Sequence, residues 1–299
     1  MTDYIVRAIA REAGVRALAC VTTEVVKDAA RRHAATPIAT AALAYGLTAA
    51  ALLGALLKVQ QRVAIKVQGD GPLGKLVTES DAYGRVRGYL ATPTIAWPPP
   101  IDGAAVGEAL GRRGLLTVVK DVRLKELAEG TVPLESGKLD LDLMVYLARS
   151  EQVPSYVDID VALDSQGRLL AAGGLLIQAM PDYDAEILTR MVQATDDLPP
   201  LAEILHGGQT PSAILATLFG AQPYTVLDVT ELSFQCSCSR ARCERALRLL
   251  NRDDLELLIT EGEAVVDCHF CHERYVFSPD DLAQLLAELE NPDDPGEAA

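Results

Sequence analysis

Positive charge is scarce in this chain: 27 Lys and Arg stand against 42 Asp and Glu over 299 residues, a formal net charge of −15. The shortage is concentrated at one end. Residues 251–299 carry 14 acidic residues against 2 Arg, which leaves only about −3 for the preceding 250. An acidic surface repels phosphate backbones, which argues against nucleic acid as a partner of the C-terminal part. No secretory leader is expected either, since none precedes Thr2 and Asp3 and the first long apolar run comes too late to serve. The cysteines are therefore expected to stay reduced in a cytosol, where disulfides are transient. Nor are the cysteines spread as a static disulfide frame would be. Four of the six form two tight pairs, Cys236 with Cys238 and Cys268 with Cys271, a pattern of metal or redox chemistry.

Apolar residues make up 49% of the chain, enough for packed cores rather than disorder. The length suits one large domain and one small one. Between Ala34 and Leu57 no residue is charged, and the run is long enough to span a bilayer. It is mostly Ala, Gly and Thr, however, with six Leu and one Ile, which is weak for membrane insertion. Thr36-Pro37 has the form of an N-cap followed by a first-turn proline, so the segment is expected to be a buried core helix and the membrane no partner.

Strands are expected at Asp3–Ile9 and Val15–Val21, with an amphipathic helix over 24–33. Val63, Ile65 and Val67 alternate with polar neighbours, as a half-buried strand requires. Alternation resumes through Leu76 and again through Val86 and Leu90, an antiparallel meander turning at Tyr83-Gly84. The intervening Gly69-Asp-Gly71-Pro-Leu-Gly74 has the letters of a dinucleotide fingerprint. That motif needs a helix N-terminus directly after it to hold a pyrophosphate, whereas Lys75–Ser80 continues as a strand, so it reads as a turn. Trp97-Pro-Pro-Pro100 is a rigid connector. A strand at Leu115–Lys120, a helix at Leu139–Leu147 and strands at Val157–Leu163 and Leu169–Ile177 complete an α+β domain over residues 1–180, with a mixed or antiparallel sheet and packed helices. Residues 181–231 read as a helical linker. Ile187, Leu188, Met191 and Val192 make one apolar face, Leu198–Leu205 a second run, and Ile214, Leu215, Leu218 and Phe219 a third behind Thr210-Pro211. Each run is at or below the length at which an isolated helix is stable, about 12–15 residues, so this segment is expected to stay folded only while docked.

Residues 232–290 carry the chemistry, and 291–299 read as an acidic tail. Positions two apart in an extended chain point to one side, so Cys236 and Cys238 can reach one ion. Cys268 and Cys271 follow a strand at Ala264–Asp267, with Tyr275–Phe277 as its return, and a two-residue spacing presents both thiolates from a tight turn. The 29 residues between Cys238 and Cys268 allow two short helices, capped by Ser239 and by Asn251 with Asp253 and Asp254. A last helix opens at Ser278-Pro279-Asp280-Asp281. Four thiolates make a closed tetrahedral zinc site with no open position for water, which disfavours hydrolytic catalysis. One zinc per chain is expected, on Cys236, Cys238, Cys268 and Cys271, either as a switch or as a staple for a domain too small to fold alone. Cys243 and Cys20 read as bystanders, Cys20 as a small core hydrophobe. His269 and His272 flank the second pair and could compete as ligands, although positions adjacent to a thiolate turn are expected to point away from it; His33 and His206 show no evident partner in the sequence.

These residues resemble the heat shock protein 33 family of redox-regulated chaperones. The C-terminal signature, Cys-x-Cys-Ser-Arg and then Cys-x-Phe-Cys, stands at Cys236–Arg240 and Cys268–Cys271. Gly69–Gly74, Gly88-Tyr89, Val119-Lys120-Asp121, Tyr146 with Ser150-Glu151-Gln152, and Gly173-Gly174 with Ile177-Gln178 extend the match almost end to end. The resemblance implies an ATP-independent holdase of the bacterial cytosol, not an enzyme. It also implies a zinc-bound reduced monomer and an oxidised form, often dimeric, that binds unfolded client proteins. The disulfides it implies are Cys236–Cys238 and Cys268–Cys271, formed with release of zinc and unfolding of the zinc domain and linker. Two other classes fit less well. A thiol oxidoreductase would need its Cys-x-x-Cys at a helix N-terminus in a βαβ unit, and a zinc-ribbon nucleic-acid binder would need a basic face.

Overall fold

A computed structural model of the chain describes residues 2–290; the acidic tail expected at 291–299 lies outside the described residues. The chain divides into two compact units, one running to Gln235 and one starting at Cys236.

In the larger unit the chain runs β1 (Tyr4–Ala10), β2 (Val15–Val21), α1 (Thr23–Arg32), α2 (Pro37–Gly54), β3 (Arg62–Gly69), β4 (Lys75–Asp81), β5 (Arg85–Leu90), α3 (Gly103–Leu110), β6 (Gly114–Asp121), β7 (Ala128–Pro133), α4 (Leu139–Arg149), β8 (Ser155–Leu163) and β9 (Leu169–Ala179). Helices α5 (Ala185–Asp196), α6 (Leu201–His206) and α7 (Pro211–Phe219) follow, then β10 (Thr225–Glu231) and β11 (Ser233–Phe234). Two sheets result. One is five-stranded and antiparallel in the order β10-β1-β2-β9-β8; the other has six strands in the order β11-β5-β4-β3-β6-β7, with β11 parallel to β5. This is the α+β architecture that the pattern predicts.

Helix α2 lies between the sheets, touching β3, β4 and β5 on one side and β2, β8 and β9 on the other. A helix that is apolar all round is one that is buried all round, and α2 is buried along nearly its whole length. Pro37 takes the first helical position, but the Thr36 hydroxyl bonds the Pro93 carbonyl rather than capping the helix. The five-stranded sheet is covered on both faces. Ala172 and Leu176 of β9 face the α2 side, while Ala171, Leu175 and Ile177 face α5–α7. That double burial is why β9 reads as an unbroken apolar run. Met191, Ile204, Leu205, Ile214, Leu215, Leu218 and Phe219 make up the helical side of this second core.

The glycine run is a turn clamped against the end of α3. Gly71 donates its N–H to the Leu110 carbonyl at 3.0 Å, and a Cβ on Gly69 would stand 2.2 Å from that oxygen. Close backbone approach, not phosphate, is what excludes a side chain here. Four elements escape the sequence pattern: α3, β7, β10 and the two-residue β11. The first is eight residues with two glycines, held by its Asp102 cap. The second is an exposed edge strand with a glycine and a proline. The third lies within the stretch read as a helical linker and pairs with β1, a partner more than two hundred residues away.

The smaller unit runs α8 (Arg240–Leu247), α9 (Arg252–Glu261), β12 (Ala264–Asp267), β13 (Arg274–Phe277) and α10 (Pro279–Glu290), with β12 and β13 an antiparallel hairpin. Ser239 caps α8 by accepting from the Arg242 N–H, and Asn251 caps α9 by accepting from the Asp254 N–H. Leu247, Leu255, Ala264, Phe277, Leu282 and Leu285 form its buried core.

Candidate metal centre

The two cysteine pairs reach a common point by different local devices. Cys236 and Cys238 sit on an irregular extended segment that ends at the α8 cap. Cys268 and Cys271 lie on the turn between β12 and β13. That turn closes through the Cys268 N–H to the Glu273 carbonyl at 2.9 Å and the His272 N–H to the Cys268 carbonyl at 2.8 Å. Reversing the chain so tightly puts His272 at φ +57°, a left-handed conformation uncommon outside glycine.

All four sulfurs lie within 4.8 Å of one another. Cys236 Sγ is 3.6 Å from Cys268 Sγ, and Cys238 Sγ is 3.3 Å from Cys271 Sγ. Four sulfurs at about 2.3 Å from a tetrahedral zinc stand roughly 3.8 Å apart, so the set has the size and donor chemistry for that ion. No other group of three or more His, Cys, Asp or Glu side chains with this spacing occurs among the described residues. None of the six cysteines is disulfide-bonded. These two sulfur contacts join one pair to the other, and they do not select a disulfide pairing.

Burial pushes the Cys271 thiol well above its usual range, and it does the same to Cys238. For Cys238 a hydrogen bond works the other way: the Tyr275 hydroxyl donates to its Sγ at 3.2 Å. That bond in turn holds the phenol protonated. Two neighbouring thiols that resist ionisation alone become good ligands beside a divalent cation, whose charge reverses the penalty.

Arg240, the last residue of the first cysteine motif, ties the unit together. Its guanidinium lies 4.3 Å from the Phe277 ring centroid, donates to the Val276 carbonyl and pairs with Asp281 at 2.8 Å. Asp281 also accepts from the Ser278 N–H and hydroxyl, and those bonds with Arg240 hold its carboxyl below the usual range. Sequence reading found neither Tyr275 nor Asp281. Arg240 carried a signal only through its place in the motif.

The remaining sequence candidates stay outside the four-sulfur set. Cys243 packs on the C-terminal apolar cluster, where burial raises its thiol. Cys20 is 1% exposed on β2, its thiol pushed up to about 12 by burial. His269 and His272 belong to the turn but not to the cluster. His33 is buried at the end of α1, and His206 ends α6.

Comparison with known proteins gives one answer at three levels. A family model described as Hsp33 protein matches residues 3–278. The 33 kDa chaperonin of Citrifermentans bemidjiense is 46% identical over 290 residues, covering 97% of this chain and 98% of its own. That of Geobacillus sp. is 40% identical over 295 residues, covering 97% and 100%. The crystal structure of the 33 kDa chaperonin from Thermotoga maritima superposes with a TM-score of 0.87 at 32% identity, over 98% of this chain and 99% of that one. With its family matched over nearly its whole length in sequence and in fold, this chain belongs to the Hsp33 family of chaperones.

Proposed function

We propose that this chaperone is an ATP-independent holdase of the bacterial cytoplasm, without enzymatic activity, switched on by oxidation of a Cys236–Cys238–Cys268–Cys271 zinc centre. The observation that carries the reading is the four-sulfur cluster inside a unit whose apolar cluster, among the described residues, has six buried members. Bound zinc would keep all four sulfurs as thiolates and cross-link the segments that bear them. Thiolates are the form that attacks peroxide or hypochlorite. Each pair gives up two electrons: one thiolate attacks a peroxide oxygen, the O–O bond breaks with loss of hydroxide, and a sulfenic acid forms. The second sulfur then displaces hydroxide as the disulfide closes, by the pairing Cys236–Cys238 and Cys268–Cys271. Neither sulfur of a disulfide is an anionic ligand, so the cross-link is lost. Structural zinc supplies on the order of 10 kcal/mol to small domains, more than the few kcal/mol that a core this small provides. The C-terminal unit then unfolds, the linker over residues 181–231 loosens after it, and the apolar surface so exposed holds unfolding clients, with the oxidised form a homodimer.

Zinc content and suppression of client aggregation, measured before and after peroxide at mildly raised temperature, test this reading. One zinc per reduced chain, lost as activity appears, is the expected result. Full zinc retention after complete thiol oxidation, or equal activity in both forms, would reduce the centre to a staple.

A further inference from the structure

Strand β10 forms one edge of the five-stranded sheet, and the two partners in its pairing are unequal. On β1, Ile5, Val6, Ala8 and Ala10 are at most 1% exposed. On β10, Val226, Leu227 and Val229 stay 46%, 40% and 59% exposed. Little apolar burial holds β10 in place; backbone hydrogen bonds and one side-chain pair, Asp228 with Arg7, do most of it. Arg7 also donates to the Ala55 carbonyl at 2.9 Å, which orients it independently of Asp228. Between Arg7 and Ala8 the register slips by one residue, leaving Leu227 unmatched as a bulge. The chain leaving β10 is anchored by buried Leu232 and the two-residue β11, and it reaches Cys236 five residues after Glu231. The cover strand is thus joined almost directly to the first cysteine of the cluster.

We propose that β10 is a removable cover occupying a client site, and that the edge of β1 is the receptor. Resting on the redox reading above, the idea is that unfolding of the C-terminal unit frees β10. An extended apolar segment of an unfolding protein then adds to β1 in its place. Strand addition draws affinity from main-chain hydrogen bonds and so tolerates varied sequences. Thr225–Glu231 shows what the site accepts: β-branched and apolar residues, no Lys or Pro to guard the edge, and a carboxylate opposite Arg7. The favoured client segment is therefore extended, apolar and acidic at that one register position.

Hydrogen exchange and peptide binding test it together. In the oxidised protein, the β1 amides not bonded to β2 should lose protection and regain it when an unfolding client is added. Continued protection of β1 while oxidised protein suppresses aggregation overturns the proposal. Two variants open the edge without oxidation: Asp228→Lys, which repels Arg7, and the double change Asp228→Pro with Thr230→Pro, which removes the two β10 N–H groups that face the Arg7 and Ile5 carbonyls. Reduced and zinc-loaded, they should bind a fluorescent peptide of residues 224–232 at least tenfold more tightly than the parent, with β1 protection restored. A peptide carrying Lys at the Asp228 position should lose most of that gain. No binding by either variant, or binding that leaves β1 exchange unchanged, also overturns the proposal. Failure of peroxide to activate the parent removes the redox reading alone, because the reduced variants still decide the matter of β1.

Discussion

Two apolar clusters run through the larger unit, one on each side of its five-stranded sheet, and each draws on many strands and helices. The C-terminal unit closes around six buried residues and places four sulfurs beside them. The difference is one of how stability is stored. Burying apolar area gives each unit a core at roughly 25 cal/mol per Å², and nothing short of denaturation takes that away. A site of four thiolates concentrates stability in bonds that a chelator, an acid or an oxidant can break selectively. A domain built the second way responds to chemistry that leaves its neighbour folded.

Removing the metal is the strongest way to expose this contrast. Chelation, or Cys268→Ser, should unfold residues 236–290 and leave the sheets of the larger unit intact, a loss on the order of 10 kcal/mol confined to one end. Amide exchange resolved by residue measures it directly. Protection lost equally in β3 and in α9 would mean that the two units share one cooperative transition.

Truncating the small core comes next. Phe277 is fully buried beneath Arg240, and Phe277→Ala should cost about 3–5 kcal/mol, as such changes do in packed cores. In the zinc-bound state the loss should appear as faster transfer of the metal to a chelator, with the thermal transition of the larger unit unmoved. Cys243→Ala touches the same apolar cluster without touching the four sulfurs, and it should change zinc retention far less.

Acid should act on the two units with opposite sign. Burial raises the pKa of Asp3 from 3.8 to about 7, and that of Asp158 from 3.8 to about 6. The folded larger unit therefore holds protons that the unfolded chain releases. This contribution is complete below about 3.8 and drains away as the pH rises through 6 and 7. Thiolate ligands require the reverse, since protonation releases the metal. Asp281 adds in the same direction, its lowered pKa giving stability that is lost only as the pH falls through it. Lowering the pH from 8 to 5.5 should thus raise the denaturation midpoint of the larger unit and weaken zinc retention by the smaller. Asp3 accepts from the Val25 N–H at 2.7 Å, which an Asn oxygen can also do. Asp3→Asn should flatten the pH slope of the larger unit, by about 2 kcal/mol between pH 8 and 5.5. An unchanged slope would place the proton uptake elsewhere.

How much of this was legible before the structure follows from how local each signal is. Caps at Ser239 and Asn251, the alternation of Val63, Ile65 and Val67, and the apolar run of α2 are all written within a few residues, and all appear as read. The cysteine spacing is local as well, and it named the four sulfurs that come together. Strand β10 is the contrary case. Its own residues look like the end of a linker, and only its pairing with β1 makes it a strand of the first sheet. The raised Asp3 has the same origin, since it reads as a strand residue until its carboxylate is found buried at the start of α1. Tyr275 likewise announces only a strand; that its hydroxyl meets Cys238 depends on how the hairpin folds back.

Glycine substitution gives the smallest effects and compares the units residue for residue. At Gly69 an added Cβ would stand 2.2 Å from the Leu110 carbonyl oxygen and 2.8 Å from that of Gly111. Both are backbone atoms, so relief requires the end of α3 to shift, and Gly69→Ala should cost about 1–3 kcal/mol or more, as overpacking does. Gly262 closes α9 at φ +97° with nothing within 4 Å of an added Cβ. There the whole penalty is conformational, about 1 kcal/mol for a left-handed position. Gly262→Ala should therefore speed zinc loss to a chelator by roughly fivefold, the factor that 1 kcal/mol represents. Gly262→Asn should recover part of that, because Asn tolerates the left-handed region better than Ala. If Asn proves no better than Ala, the cost at Gly262 is not one of backbone conformation, and the stability of the small unit does not govern how tightly it keeps its metal.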